Sequence, residues 1–434
     1  LSFAPPSGGA ARVAFVAGNV DELRARLAKV ECALSSGPAR STSEFFYSDD
    51  VPLEPASVAF LFPGQGSQQV EMLSELLLSY PELCDLYESA DAELKNELAR
   101  PLSSLIFPPP TFDPEERKAQ KTRINDTRVA QPALALSDVL VARLLERFGV
   151  EPAMVAGHSF GEYVALWKAG VYPFEQLLRM AAARGRAIAR AEEGGRGGMA
   201  AVIADESRTR ALLDELELPL AIANLNAPEQ TVVAGPVEVI ERAVKAIEER
   251  GVSCRRLPVS AAFHTKELAS AREELEPVFE AGTWNEPERP VFSNTSAGRY
   301  PSEPAEIREL LLRHVSEALR FTDEVRAMHD AGARVFVEVG PKSALTGLVS
   351  RILEGREHVA MATNRAPALA WRDFCGALAE LAALGLPLEL AEAFEGRGLE
   401  RIDIEELARR ERAQSELKVT DWLVDPSLSR PAHA

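Results

Sequence analysis

Residues 157–161 read Gly-His-Ser-Phe-Gly. A serine hydroxyl becomes available for chemistry when a sharp turn lifts it clear of the backbone, and G-x-S-x-G between a buried strand and a helix encodes such a turn. The flanks agree: Ala153-Met154-Val155-Ala156 is an apolar run suited to a buried strand, and Glu162 to Lys168 opens a helical pattern. The glycines stand where the turn presses backbone on backbone and leaves no room for a Cβ. The first N–H groups of a helix lack intrahelical acceptors, so they face any oxyanion formed at Ser159. The chemistry to expect is nucleophilic attack by the Ser159 hydroxyl. A Gly-Ser turn with no reaction is the plainer alternative, and the strand and helix around it weigh against that.

A serine of this kind needs a base. His158 is adjacent, but neighbouring side chains diverge on an elbow, so its ring is expected to find a local structural partner. The base must come from another turn. His264, in Ala262-Phe263-His264-Thr265, follows a strand at the point where an interrupted core resumes; on spacing alone His314, His329 and His358 remain open beside it. A second glycine-rich junction follows Val58–Phe62: Pro63-Gly64-Gln65-Gly66-Ser67-Gln68. It lacks the Lys-Ser/Thr ending of a phosphate loop. Its exposed backbone N–H groups could converge with those after Ser159. Arg184, within a helical pattern over 173–193, reads alone as a surface ion-pair residue.

These residues need elements to hold them. The spacing predicts a small αβ unit first, with a strand over 12–17 and a helix over 22–34 that Asp21 caps and whose Leu23, Leu27, Val30 and Leu34 share a face. A helix is expected from Gln69, a surface loop over the proline-rich 101–122, and a helix over 126–148. After Gly194-Gly195-Arg196-Gly197-Gly198 the pattern becomes β-α-β-β-α-β through residue 259, the ferredoxin-like order. The core then resumes with a helix over 266–281, a strand over 290–294, a helix over 303–315 and a strand over 334–339. From about Trp371 the tail reads as a packing arm. The expected fold is α/β: a hydrolase-like core with a mostly parallel sheet and an inserted ferredoxin-like small subdomain, flanked by linker regions. The expected boundaries are 1–55 linker, 56–196 core, 197–258 small subdomain, 259–372 core and 373–434 linker.

Composition excludes other classes. The 48 basic and 66 acidic residues leave a net charge of −18, which weighs against nucleic acid as a partner. No apolar run approaches the ~18 residues of a membrane span. The start, Leu1-Ser2-Phe3-Ala4-Pro5-Pro6, has no basic-then-apolar leader and no Met, and reads as part of a longer chain. Cys32, Cys84, Cys254 and Cys375 are scattered, as are the histidines, so free thiols in a reducing cytoplasmic compartment are expected and a metal site is not.

Six motifs stand in order: Phe62-Pro63-Gly64-Gln65-Gly66-Ser67-Gln68, Gln131-Pro132-Ala133, Gly157-His158-Ser159-Phe160-Gly161-Glu162, Arg184-Gly185, Ala262-Phe263-His264 and Glu338-Val339-Gly340-Pro341. Together they resemble malonyl-CoA:acyl carrier protein transacylases and the acyltransferase domains of polyketide synthases, over about residues 57–372. The first stretch resembles the linker between ketosynthase and acyltransferase, and the end resembles the linker after the acyltransferase. Asp126 to Pro132 looks more like iterative systems of the enediyne or polyunsaturated fatty acid type.

The resemblance implies Ser159 as nucleophile and His264 as base, then acid. It implies the N–H groups of Gln65 and Phe160 as oxyanion hole, Arg184 as clamp for the carboxylate of a dicarboxylic acyl group, and Gln131 and His158 beside the acyl site. Phe263 and Phe160 resemble malonyl-selective members, although Ala261 departs from the pattern. It implies a backbone carbonyl from Glu317 to Arg320, rather than an acid, as the orienter of His264. Malonyl-CoA as donor, phosphopantetheine on an acyl carrier protein as acceptor, a ketosynthase on the same polypeptide and no cofactor bound to the domain itself follow from the same likeness. The competing expectations are a serine hydrolase or thioesterase, selectivity for methylmalonyl-CoA, and a non-catalytic docking module.

Overall fold

The computed structural model describes residues 11–36, 41–42, 44–49, 54–193, 197–257, 264–265, 268–395, 409, 422–424 and 429–431. Arg12–Ala14 (β1) and Phe46–Ser48 (β2) pair antiparallel, with Val20–Ser35 (α1) between them in the chain. Asn19, not Asp21, caps α1: its side chain accepts the Glu22 N–H at 2.8 Å. Asp21 falls inside the first turn, where its charge suits the helix N-terminus. The expected apolar face is only partly buried, with Val30 8 % exposed but Leu27 and Leu34 at 51 % and 48 %.

Val58–Phe62 (β3) is buried at all five positions, as a strand covered on both faces must be. The helix expected at Gln69 begins later, at Ser74–Ser79 (α2), because Glu71 and Leu73 take left-handed backbone, φ 61° and 62°. Cys84–Glu93 (α3) follows. The expected surface loop at 101–122 is instead largely helical: Leu102–Ile106 (α4) and Pro114–Asn125 (α5). Asp113 caps α5 and Pro114 occupies its first position, a helix start hidden among the prolines. Asp126 caps Thr127–Arg147 (α6), which is buried along most of its length.

Met154–Gly157 (β4), Gly161–Lys168 (α7) and Phe174–Glu193 (α8) complete the first part of the core. The inserted subdomain then runs Gly197–Val202 (β5), Glu206–Glu215 (α9), Ala221–Ala227 (β6), Gln230–Pro236 (β7), Val237–Glu248 (α10) and Cys254–Arg256 (β8). Its antiparallel sheet has the order β6-β7-β5-β8, with the first and third strands central. This is the ferredoxin-like arrangement expected.

The core resumes with Ala269–Glu280 (α11), Pro304–Arg313 (α12), Phe321–Asp330 (α13), Val335–Glu338 (β9), Ala344–Ile352 (α14) and Val359–Ala362 (β10). The sheet order is β10-β9-β3-β4, parallel throughout. The strand expected at 290–294 is reduced to two isolated bridges, Val155 to Val291 (parallel) and Phe292 to Arg299 (antiparallel). Ala370–Ala383 (α15) crosses the boundary expected at 373, and Arg12 Nε donates to the Ala383 carbonyl at 2.9 Å. Ala11–Leu388 is one unit; a second comprises Leu1–Ala10 and Glu389–Ala434, in which Trp422–Val424 (β11) and Ser429–Pro431 (β12) pair antiparallel.

Two features position a site. In register, Phe62 lies opposite Gly157 and Leu61 opposite Glu338, so β3, β4 and β9 release their loops at one sheet edge, where open parallel sheets bind ligands. The small subdomain is laced to the core by Leu225 N–H to Leu319 O and Leu319 N–H to Ala223 O, both 2.8 Å.

Candidate active site

The elbow is as tight as its glycines require. Ser159 sits at φ 53°, a left-handed conformation that L residues adopt at a cost. A Cβ on Gly157 would lie 2.0 Å from the Gly161 carbonyl carbon, and one on Gly161 would lie 1.9 Å from the Phe62 oxygen. Gly64 presses equally close: its Cβ would meet the His158 oxygen at 2.3 Å. The two glycine junctions recognised in the sequence thus interlock, with Ser159 between them. Among the described residues, the N–H groups of Gln65 and Phe160 have no acceptor.

Ser159 Oγ and His264 Nε2 are 2.8 Å apart. His264 Nδ1 donates to the His314 carbonyl at 3.0 Å. That bond leaves the Nε2 lone pair facing the serine hydroxyl, the tautomer a base needs. Burial, and secondarily the Arg184 cation, push the His264 imidazole down to about 3, so it stands neutral with its Nε2 lone pair unprotonated. Of the other histidines left open by spacing, His329 bonds the Glu357 carbonyl at 3.0 Å and His358 the Arg356 carbonyl at 2.8 Å, away from Ser159.

The orienting carbonyl differs from the expected segment. It belongs to His314, just past α12, rather than to Glu317–Arg320. Carbonyls at a helix end lack intrahelical donors and are free for other partners. In the expected segment, the Leu319 carbonyl is already taken by β6.

Arg184 is 1 % exposed, not a surface residue. Gly185 lets α8 approach α6 closely, since a Cβ there would meet the Thr127 oxygen at 2.7 Å. Arg184 Nη1 donates to Gln131 Oε1 at 2.9 Å, Gln131 Nε2 donates to Thr127 Oγ1 at 2.9 Å, and Thr127 Oγ1 donates to Gln65 Oε1 at 2.9 Å. The guanidinium carbon lies 5.9 Å from the Phe160 ring centre and 5.4 Å from that of Tyr163, and the two rings stack at 17°. Arg184 Nε and Nη2 have no hydrogen-bond partner within 3.5 Å, and the Tyr163 hydroxyl interacts with the guanidinium only from further off. The result is one edge of a buried guanidinium fork, presented beside the residue that follows the serine.

His158 Nε2 lies 2.8 Å from Asn226 Oδ1 on β6, and its ring meets Phe321 edge-on. It ties the elbow to the small subdomain. Phe263 lies outside the described residues. A cleft of about 540 Å³ between the subdomain and the core, lined by Pro219, Ile222, Thr265, Thr295 and Ser316, ends on His264.

Sequence reasoning missed the brace behind the elbow. Asn294 Oδ1 accepts the Ser159 N–H at 2.8 Å, and Asn294 Nδ2 donates to the Gly157 oxygen at 2.5 Å and to Glu324 Oε2 at 2.6 Å. Nothing in the text around Asn294 announces this. Glu162 was visible inside the motif, but its burial was not. Among the described residues, no helix is long and apolar enough to cross a membrane.

Comparison with known proteins places this geometry among relatives. The acyl transferase domain family matches residues 59–369. A polyketide synthase of Streptomyces halstedii is 35 % identical over 349 residues, which are 80 % of this chain and 4 % of that protein. The malonyl CoA-acyl carrier protein transacylase of Bacillus subtilis is 34 % identical over 304 residues, 68 % of this chain and 90 % of that one. The acyltransferase domain from the second module of the salinomycin polyketide synthase superposes with a TM-score of 0.74 at 28 % identity, covering 91 % of this chain and 88 % of that one. The chain thus spans a small fraction of the synthase and most of the transacylase.

Proposed function

Because the chain belongs to the acyl transferase domain family, we propose that it moves a malonyl group from malonyl-CoA to the phosphopantetheine thiol of an acyl carrier protein through an ester on Ser159. The product is a loaded extender unit for polyketide or related fatty acid synthesis. In the proposed first step Ser159 Oγ attacks the thioester carbonyl while His264 Nε2 takes its proton. The N–H groups of Gln65 and Phe160 hold the oxyanion; one such donor is typically worth about 3 kcal/mol. The intermediate collapses, the CoA sulfur leaves with the proton from His264, and malonyl-Ser159 remains. The carrier's thiol then attacks that ester, again with His264 as base, and Ser159 recovers its proton. Kinetics are ping-pong.

The observation that carries the acyl group's identity is the fork left open on Arg184. A buried guanidinium whose Nε and Nη2 lack partners is costly until an anion completes it. Those two parallel N–H groups fit a carboxylate in a bidentate pair. Gln131 holds the opposite side of the guanidinium at 2.9 Å and so fixes where the carboxylate docks. The fully buried Phe160 and, by family likeness, Phe263 favour malonyl over its α-methyl homologue. By family likeness His158 stands beside the acyl group, and its bond to Asn226 fixes its ring. A ketosynthase on the same polypeptide and a cytoplasmic setting belong to this reading.

The test is incubation with radiolabelled malonyl-CoA. The expected outcome is stable label on the protein, abolished in Ser159→Ala and passed to an added holo acyl carrier protein. Rapid release of free malonate without transfer would instead make this a thioester hydrolase, and label on Ser159→Ala would remove the nucleophile.

A further inference from the structure

Glu162 lies three positions past Ser159, in the first turn of α7. An acidic residue suits a helix start, but such groups are ordinarily solvated, and this one is fully buried. Its Oε2 accepts the Asn294 N–H at 2.6 Å and stands 3.7 Å from His314 Nε2. Its Oε1 accepts from Ser293 Oγ at 3.2 Å and from the Tyr300 hydroxyl. Two of these contacts lead to the reacting pair. Asn294 grips the elbow at Ser159 N and Gly157 O. His314 supplies the carbonyl that orients His264.

We infer that Glu162 is a positioning residue: as a carboxylate it holds Asn294, and through the grip of Asn294 on the elbow it sets the position of Ser159 against His264. The inference rests on the Ser159–His264 dyad proposed above. Three donors converge on Glu162 (the Asn294 N–H and the Ser293 and Tyr300 hydroxyls), and only the ionised acid is an acceptor at every oxygen lone pair. A proton on Glu162 removes the charge that strengthens these bonds and so loosens the brace.

The groups facing Glu162 are His314 at the end of α12, Glu324 on α13, Arg184 on α8, Tyr300, and Tyr163 and Tyr172. Burial, then the charge on Glu162, raise Glu324 well above the usual carboxylate range, so Glu324 keeps its proton. Burial pushes Glu162 up to about 7, and the bonds from Tyr300, Asn294 and Ser293 and the Arg184 charge oppose it. His264 is held far lower, at about 3. An acid limb near neutrality therefore belongs to Glu162 and not to the base.

Two rates test this across about pH 5.5 to pH 8.5: single-turnover acylation of Ser159 by malonyl-CoA, and labelling of Ser159 by a fluorophosphonate, which needs the dyad but not Arg184. Glu162→Gln keeps the shape and removes the charge. It is expected to slow both rates roughly 10- to 100-fold, the scale of a misplaced reacting group, with KM for malonyl-CoA nearly unchanged and the acid limb gone. Tyr300→Phe removes a donor that favours the ionised form, so the limb should move to higher pH. Wild-type rates and limb in Glu162→Gln, or an unmoved limb in Tyr300→Phe, overturn the inference. If Glu162→Gln loses its circular dichroism signature, the Tyr300→Phe limb alone decides. Label on Ser159→Ala would be a different failure, that of the dyad itself.

Discussion

The backbone carbonyl of His314 accepts from His264 Nδ1 at 3.0 Å, while His264 Nε2 meets Ser159 Oγ at 2.8 Å. A carbonyl can orient the imidazole but cannot take a proton from it. The proposed base thus works with a neutral orienter, and the carboxylate nearest that orienter, Glu162, stands one residue removed.

This arrangement separates ring from backbone at position 314. His264→Ala should reduce malonyl loading by roughly 10²- to 10⁴-fold, the usual scale of general-base catalysis. His314→Gln keeps the carbonyl and places an amide donor near Glu162, so loading should stay within about tenfold of wild type, because hydrogen-bond geometry rather than ring chemistry is what His264 requires. Equal losses in the two variants, measured by single-turnover labelling, would refute the assignment.

Arg184→Ala removes the fork and leaves Gln131 without its guanidinium partner. Losing a buried charged pair costs about 2–5 kcal/mol, so malonyl loading should fall by roughly 10²-fold or more. Acetyl loading, which has no carboxylate to place, should fall far less. Competition between labelled malonyl-CoA and acetyl-CoA measures the ratio, and an unchanged ratio removes the clamp.

Phe263→Ser is expected to raise methylmalonyl relative to malonyl loading, since one side chain against a methyl group is worth about 1–3 kcal/mol. An unaltered rate ratio would take Phe263 out of the selectivity argument.

Asp138 predicts how stability depends on pH. It is fully buried on α6, with no hydrogen-bond partner for either oxygen. Burial, then the Glu338 charge, hold its carboxyl well above the ordinary 3.8. A raised carboxyl in the folded state contributes stability below the unfolded value and loses it as pH rises through the folded value. Asp138→Asn should therefore gain stability over wild type at about pH 8, and the gap should narrow toward about pH 5. Urea midpoints at the two pH values check this; a gap independent of pH would mean that Asp138 stays ionised.

Glycine contrasts test the elbow. Gly161→Ala pushes a Cβ to 1.9 Å from the Phe62 oxygen, and rigid backbone cannot yield. Gly376→Ala, on α15, meets nothing within 4 Å. The first should cost upward of about 2 kcal/mol and abolish loading, whereas the second should stabilise by about 0.5–1 kcal/mol because alanine restricts the unfolded chain. Chemical denaturation compares them.

Local sequence determined a good deal. The Gly157–Gly161 turn, the strand and glycine junction at Phe62–Gln65 and the β-α-β-β-α-β insertion all depend on short-range rules: apolar runs, Cβ-free positions and alternating periods. They are therefore visible in neighbouring residues. Helix α5 is legible too, from Asp113 and Pro114, although the prolines that precede it favour a loop. What lay beyond local reading was everything that depends on distant segments meeting. The fate of Arg184 required α8 to pack on α6 through Gly185. The orienter required β6 to occupy Leu319, leaving the His314 carbonyl for His264. Asn294 and Glu162 are 132 residues apart in sequence and 2.6 Å apart in space. A polar side chain acquires its role from what surrounds it after burial, and burial is decided by packing over the whole chain.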